Sequence, residues 1–194
     1  DDSVKNSLKN CLAVGADHAY LVKCDEAENL DGAAVAKVLA KAKADIEVAE
    51  GKTFDLIFCG KESTDYAASQ TGLLLAAELN VPAVANVVAV ETADGTAKIR
   101  QETETGYNEV EASMPCVVTI QKPNYDPRYP TIKSKMAARK KPIGELEVGE
   151  IPESSMEVVK VYAPAKRQAG VKIKAESPEE SVAQAMKLAD AKVL

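Results

Sequence analysis

The run DLIFCGKESTDYAASQTG, Asp55 to Gly72, decides how this chain is read. Leu56, Ile57, Phe58 and Cys59 form an apolar strand that ends at Gly60. A polar loop follows, and a helix is predicted to open near Ala68 to Gln70. In an open α/β sheet, ligands bind where strands end and helices begin. Free N–H groups at such a helix start favour an anion, commonly a phosphate. Ser63, Thr64, Ser69 and Thr71 add hydroxyl donors, and Gln70 adds an amide. The segment therefore reads as half of an adenine-nucleotide site. It matches neither the P-loop nor the GxGxxG spacing, so taken alone it reads equally as an ordinary strand-to-helix connection.

Working outward, Ala19 to Val22 reads as a short strand, with His18 at its start as a surface residue. Val35, Val38, Leu39, Ala42 and Ile46 recur at helical spacing and predict a helix over Gly32 to Ala49. Phe54 to Cys59 is the next strand, and Ser69 to Leu79 the next helix, stopped by Pro82. Strand, helix, strand, helix predicts an α/β fold with a doubly wound, mostly parallel sheet. An amphipathic helix carrying Val4, Leu8, Cys11 and Leu12 precedes it and ends at Gly15. The pattern then changes. Val84 to Glu91, Ala97 to Glu102 and Asn108 to Ala112, separated by turns at Ala93–Gly95 and Gly106, predict an inserted β-meander. Cys116 to Ile120 reads as a buried strand rejoining the sheet.

From Lys122 the periodicity fades. Pro123, Pro127 and Pro130 predict an extended excursion, with a short helix around Met136 to Ala138. Lys133, Lys135, Arg139, Lys140 and Lys141 follow with no acid between Asp126 and Glu145. Gly144 to Val161 is predicted extended. Ser177-Pro178-Glu179-Glu180 is a helix start, and Val182, Ala185, Met186 and Ala189 give that last helix an apolar stripe. A partner subunit is the expected home for that stripe. The expected organisation is a nucleotide-binding domain over 1–145, with its first strands missing, and a C-terminal arm and helix over 146–194.

Composition narrows the function. A net charge of −6 argues against nucleic acid, and the basic excursion lacks interleaved aromatics. No apolar stretch is long enough to span a membrane. The four cysteines are widely spaced and form no metal-ligand cluster, and the single histidine excludes any site needing two. Cysteines in apolar runs are read as buried free thiols, which suit a reducing compartment. The chain opens on Asp1-Asp2 just before an amphipathic helix and reads like a segment from inside a domain.

Several stretches taken together resemble the β subunit of electron transfer flavoprotein. They are LAVGAD (Leu12 to Asp17), the 55–72 run, Ile99 to Thr119 ending in MPCVVT, PRYPTI (Pro127 to Ile132), KKPI (Lys140 to Ile143) and KRQAGVK (Lys166 to Lys172). They occur in family order and cover nearly the whole chain. The resemblance implies a heterodimer. Its α subunit carries FAD in a mobile domain, and its β subunit binds a buried, structural AMP. The pair takes electrons from flavin dehydrogenases, such as acyl-CoA dehydrogenases, and passes them to a downstream acceptor. No catalytic residue and no metal ligand is implied.

The family's nucleotide loop maps onto Gly60, Lys61, Glu62, Ser63, Thr64, Asp65, Ser69, Gln70, Thr71 and Gly72. Ser69, Gln70 and Thr71 are the implied phosphate contacts. Asp65 and the amides of Gly60 to Thr64 would hold ribose or adenine. The common pattern has acids after the position of Asp65, where this chain has Tyr66 and Ala67. Fewer acids ease binding of a second anionic group, and some relatives bind a second FAD there and bifurcate electrons. Those relatives usually carry a Thr-x-x-Val-Gly ending in place of Gln70-Thr71-Gly72, so AMP is the expected occupant. Glu102 matches an acid that pairs with an arginine of the α subunit's flavin domain. Residues 123–141 match the loop that docks on dehydrogenases, with Tyr129, Ile132 and Met136 as contacts and Ile132 where Leu is common. The expected compartment is the bacterial cytoplasm or the mitochondrial matrix. An ATP-using enzyme of the same α/β class is a further alternative, but the chain contains no Ser-Gly-Gly-x-Asp-Ser loop. A stand-alone nucleotide sensor has no need of the long arm.

Overall fold

The computed structural model describes residues 2–25, 27–122, 125–147, 149–150, 152–166, 170 and 172–190. They fall into two compact units, Asp1–Val158 and Val159–Leu194. Pro123, and four residues of the Lys166 to Lys172 run, lie outside the described residues.

The first unit is α/β and Rossmann-like. Its elements are α1 (Asp2–Val14), β1 (Tyr20–Lys23), α2 (Gly32–Glu50), β2 (Leu56–Gly60), α3 (Thr71–Leu79), β3 (Ala83–Ala93), β4 (Thr96–Thr103), β5 (Gly106–Ser113), β6 (Cys116–Ile120), α4 (Ile132–Lys140) and β7 (Gly144–Glu147). Five strands form one sheet in the order β2-β6-β3-β4-β5. β2, β6 and β3 run parallel, and β3, β4 and β5 form the antiparallel meander. β1 pairs in parallel with β7, from Tyr20 opposite Gly144 to Lys23 opposite Glu147. The described residues thus place β1 and β2 in separate sheets, although the chain order suggests neighbours. Periodicity identifies a strand but not its partner. β1 finds its partner far along the chain, in the stretch read from sequence only as extended.

β6 is apolar on both faces (Cys116, Val117 and Val118 are buried) because it lies between two parallel partners under α3. On one face, Cys116 and Val118 join Val84, Val87, Ala97, Ile99 and Ala112 in the main core. A smaller cluster of Leu12, Ala13, Ala19 and Ala138 seats α4 on α1. α2 buries Ala34, Ala36, Val38 and Ala42, and Leu39 is left exposed. The methyl-sized face lets α3 approach closely, so the buried stripe is offset from the one that the larger residues mark. Asp31 caps α2 by accepting from the Ala34 N–H at 2.8 Å, and Gly51 ends it in the left-handed conformation. The excursion is more helical than its prolines suggest. Thr131 and Ser134 form a capping box, which starts a helix of nine residues.

The thiols correct one expectation. Only Cys116 is buried. Cys24 and Cys59 are half-buried, Cys11 is exposed, and all four are free. The compartment argument drawn from buried thiols loses its support. The second unit contains α5 (Pro178–Asp190), on which Val182 and Met186 are exposed.

Candidate functional site

The carboxyl edge of the parallel strands carries the 60–72 loop. Gly60 closes β2, and the Lys61 N–H donates to the Ile120 carbonyl at 3.1 Å, which ties the loop to the end of β6. The loop then folds on itself. Ala67 N–H donates to the Ser63 carbonyl at 3.0 Å, and Tyr66 N–H to the Asp65 carboxylate at 2.9 Å. Hydrogen bonds from the Ser63 side chain and the Tyr66 N–H hold the Asp65 carboxyl below the ordinary carboxylate range. Ser69 Oγ donates to Glu62 Oε2 at 2.7 Å. Ala67 and Ser69 both have positive φ, at 47° and 52°. Two left-handed residues in quick succession reverse the backbone sharply before the helix begins.

The helix starts at Thr71, with Gln70 as its cap, slightly later than predicted. Gln70 makes no side-chain cap bond, and the first turn holds no acid. The first N–H groups of a helix have no intrahelical acceptor, so this end is left as an uncapped, partly positive terminus. Gly72 is buried because nothing larger fits. A methyl there would sit 2.7 Å from Thr119 Cγ2 and 2.9 Å from Cys59 Cβ. The start of α2 abuts the same place, since a methyl on Gly32 would lie 3.5 Å from Gln70 Oε1. Two helix N-termini therefore meet at one loop. Gly32 belongs to this constellation, although the reading from sequence named it only as a helix start. The Asp-Gly step before a helical period was the available signal.

Gly60, Lys61, Glu62, Ser63, Thr64, Asp65, Ser69, Gln70, Thr71 and Gly72 thus share one edge of the sheet. Glu62, Ser63, Thr64, Asp65 and Gln70 are exposed there, and Ser69 and Thr71 half-buried. Glu102, on β4, is half-buried and accepts a hydrogen bond from Gln121 Nε2. Arg100, two residues before it on β4, binds Glu109 at 2.7 Å. Tyr129, Ile132 and Met136 are 81%, 82% and 60% exposed. They stand apart from the loop, where α4 packs on α1. A shallow hollow lined by Ala44, Glu47, Val48, Gly51, Lys52 and Thr53 lies at the far end of α2. A helix of 19 residues spans about 28 Å, so that hollow is no part of the loop site.

The electron transfer flavoprotein domain model matches residues 1–151. The chain belongs to the electron transfer flavoprotein β-subunit family. An electron transfer flavoprotein subunit beta from Megasphaera elsdenii is 31% identical over 189 residues, which is 92% of this chain and 70% of that protein. The human subunit beta is 33% identical over 184 residues, 92% of this chain and 69% of that protein. The subunit beta of Methylophilus methylotrophus is 38% identical over 160 residues, 81% of this chain and 58% of that protein. The chain thus spans between 58% and 70% of the length of these flavoprotein relatives. Among its described residues, no helix is long and apolar enough to cross a membrane.

Proposed function

We propose that this chain acts within a heterodimeric electron transfer flavoprotein and that its 60–72 loop holds the phosphate of a structural AMP. The uncapped, acid-free N-terminus of α3 beside Ser69, Gln70 and Thr71 carries the reading. These residues fit the group. The α3 N–H groups and the Thr71 and Gln70 side chains would take the phosphate. The absence of a Cβ at Gly72 seats the helix start close against the strand ends. The Ser69 hydroxyl can join only by releasing Glu62. Asp65, with its carboxyl already ordered, is suited to accept hydrogen bonds from a ribose or an adenine amine. The bound nucleotide supplies no reaction in this proposal; it cements loop to sheet.

In this reading, the FAD that carries the electrons sits mainly in the α subunit, and this chain does no catalysis by itself. Glu102 faces an arginine of the mobile flavin domain. A rim ion pair contributes about 0–1 kcal/mol, enough to bias a domain between two positions rather than to hold the dimer. Ile132 and Met136, presented on a capped helix rich in Lys and Arg, dock a flavin dehydrogenase. Apolar anchors give the contact its strength, and the basic side chains steer an acidic partner. The α5 stripe covers a surface of the α subunit. The working compartment is a bacterial cytoplasm or a mitochondrial matrix.

The test is to purify the complete protein with its α subunit and quantify flavin and AMP per dimer. One FAD and one AMP are expected. Two FAD and no AMP would make the loop redox-active and place the protein in the bifurcating class, which the acid-free helix start also suits. A dimer with neither would overturn the reading.

A further inference from the structure

Resting on the proposed role of Glu102, we infer that Gln121 is its positioning residue. Glu102 lies on β4 and Gln121 just past the end of β6, with β3 between them. Adjacent strands lie about 4.8 Å apart, so the two side chains bridge roughly 10 Å across an intervening strand. That span needs two long side chains on one face, which Gln and Glu supply and Asn or Asp would not. The backbone prepares the meeting. Gln121 N–H donates to the Val87 carbonyl at 2.9 Å, and Val87 on its other side faces Gln101, the neighbour of Glu102. The β3 register shifts here, between Val84 and Val87 against β6 and between Val87 and Ala89 against β4. Gln101 fastens the same spot, donating to the Ala85 carbonyl at 3.0 Å and accepting from Asn108 at 3.1 Å.

The chemistry of the bridge matters as much as its geometry. An amide donor orients one carboxylate oxygen without cancelling the charge. Among the described residues, no cation pairs with Glu102, and the nearby Arg100 is bound to Glu109. Gln121 therefore presents Glu102 as an oriented, uncompensated anion at the strand-end edge that also carries the 60–72 loop. Such an anion fits a guanidinium arriving from a partner. A cation at position 121 would satisfy Glu102 internally and remove its charge from the partner.

The experiment uses the complete, flavin-loaded heterodimer, with one spin label on the flavin domain and one on this chain. Pulsed distance measurements read the ratio of the two domain positions. Glu102→Gln is expected to shift that ratio by up to about fivefold, the weight of a rim ion pair. Gln121→Lys should shift it as far, and Gln121→Asn by less, with all melting temperatures close to wild type. If Glu102→Gln shifts the ratio and Gln121→Lys does not, the positioning role is wrong while the role of Glu102 stands. If Gln121→Asn and Gln121→Lys shift it equally and both lower the melting temperature, Gln121 is merely structural. If Glu102→Gln has no effect, both the reading of Glu102 and this inference fall.

Discussion

Gly72 shows how one residue sets where a helix can start. The start of α3 can approach β2 and β6 only because that residue lacks a Cβ; Thr119 and Cys59 occupy the space. Cys59 Cβ is fixed to its backbone, and the β-branched Thr119 can turn only by giving up the hydrogen bond its hydroxyl accepts from the Asn86 N–H. Gly72→Ala is therefore expected to lower stability despite a helix-propensity gain of up to about 1 kcal/mol. Two contacts below 3.0 Å put the overpacking cost in the upper part of its range, about 2–3 kcal/mol, which leaves a net loss of about 1–2 kcal/mol. Urea unfolding of the two proteins measures it, and an unchanged or raised midpoint would refute the packing argument. Sequence reasoning marked Gly72 as part of a phosphate loop. Its packing role was invisible, because Thr119 and Cys59 become its neighbours only when two parallel strands come together. Gln121 was missed for the same reason, since its value depends on a residue two strands away.

The β1–β7 ladder is the element least legible in sequence, and its charges explain part of its pairing. Glu145 on β7 accepts from Lys5 of α1 at 3.0 Å and from Lys23 of β1 at 2.7 Å. These two ammonium groups, Lys23 foremost, hold its carboxyl down at about 2, from an ordinary value of 4.5. A carboxylate with a depressed folded pKa binds fewer protons when folded than when unfolded. Its contribution is fully present above about 4.5 and drains away as pH falls toward 2. Glu145→Gln should thus be less stable than the parent at neutral pH, with the difference vanishing on acidification across that window. All three side chains are substantially exposed, so high salt should shrink the neutral-pH difference as well. Parallel unfolding curves at several pH values decide it. A difference that persists at pH 2 would assign the effect to packing instead.

On the scale of the whole molecule, the proposed nucleotide site and the proposed docking surface are separate features of one unit. The 60–72 loop belongs to the five-stranded sheet, whereas α4 rests on α1 beside the smaller cluster. Changes on the exposed face of α4 should therefore spare both fold and nucleotide. Ile132→Ala is expected to alter stability by no more than about 0.5 kcal/mol. It should leave AMP content unchanged and weaken dehydrogenase docking about 30-fold, as loss of an interface anchor does. Binding measured by calorimetry against a flavin dehydrogenase checks it. Equal affinity would remove Ile132 from the docking surface, and lost AMP would show the two sites to be coupled.

The sequence by itself determined the α/β class, the meander and the return of a buried strand. Each depends on a local period or turn that consecutive residues express. It also carried the family, because LAVGAD, the 55–72 run and PRYPTI are contiguous stretches. Tertiary structure decided which strands are neighbours, why Gly72 is glycine, how Glu102 is held, and that two helix starts meet at one loop. Those properties arise from contacts between residues distant along the chain. Hydrophobic patterning states that such residues are buried or exposed, but only the assembled sheet states against what.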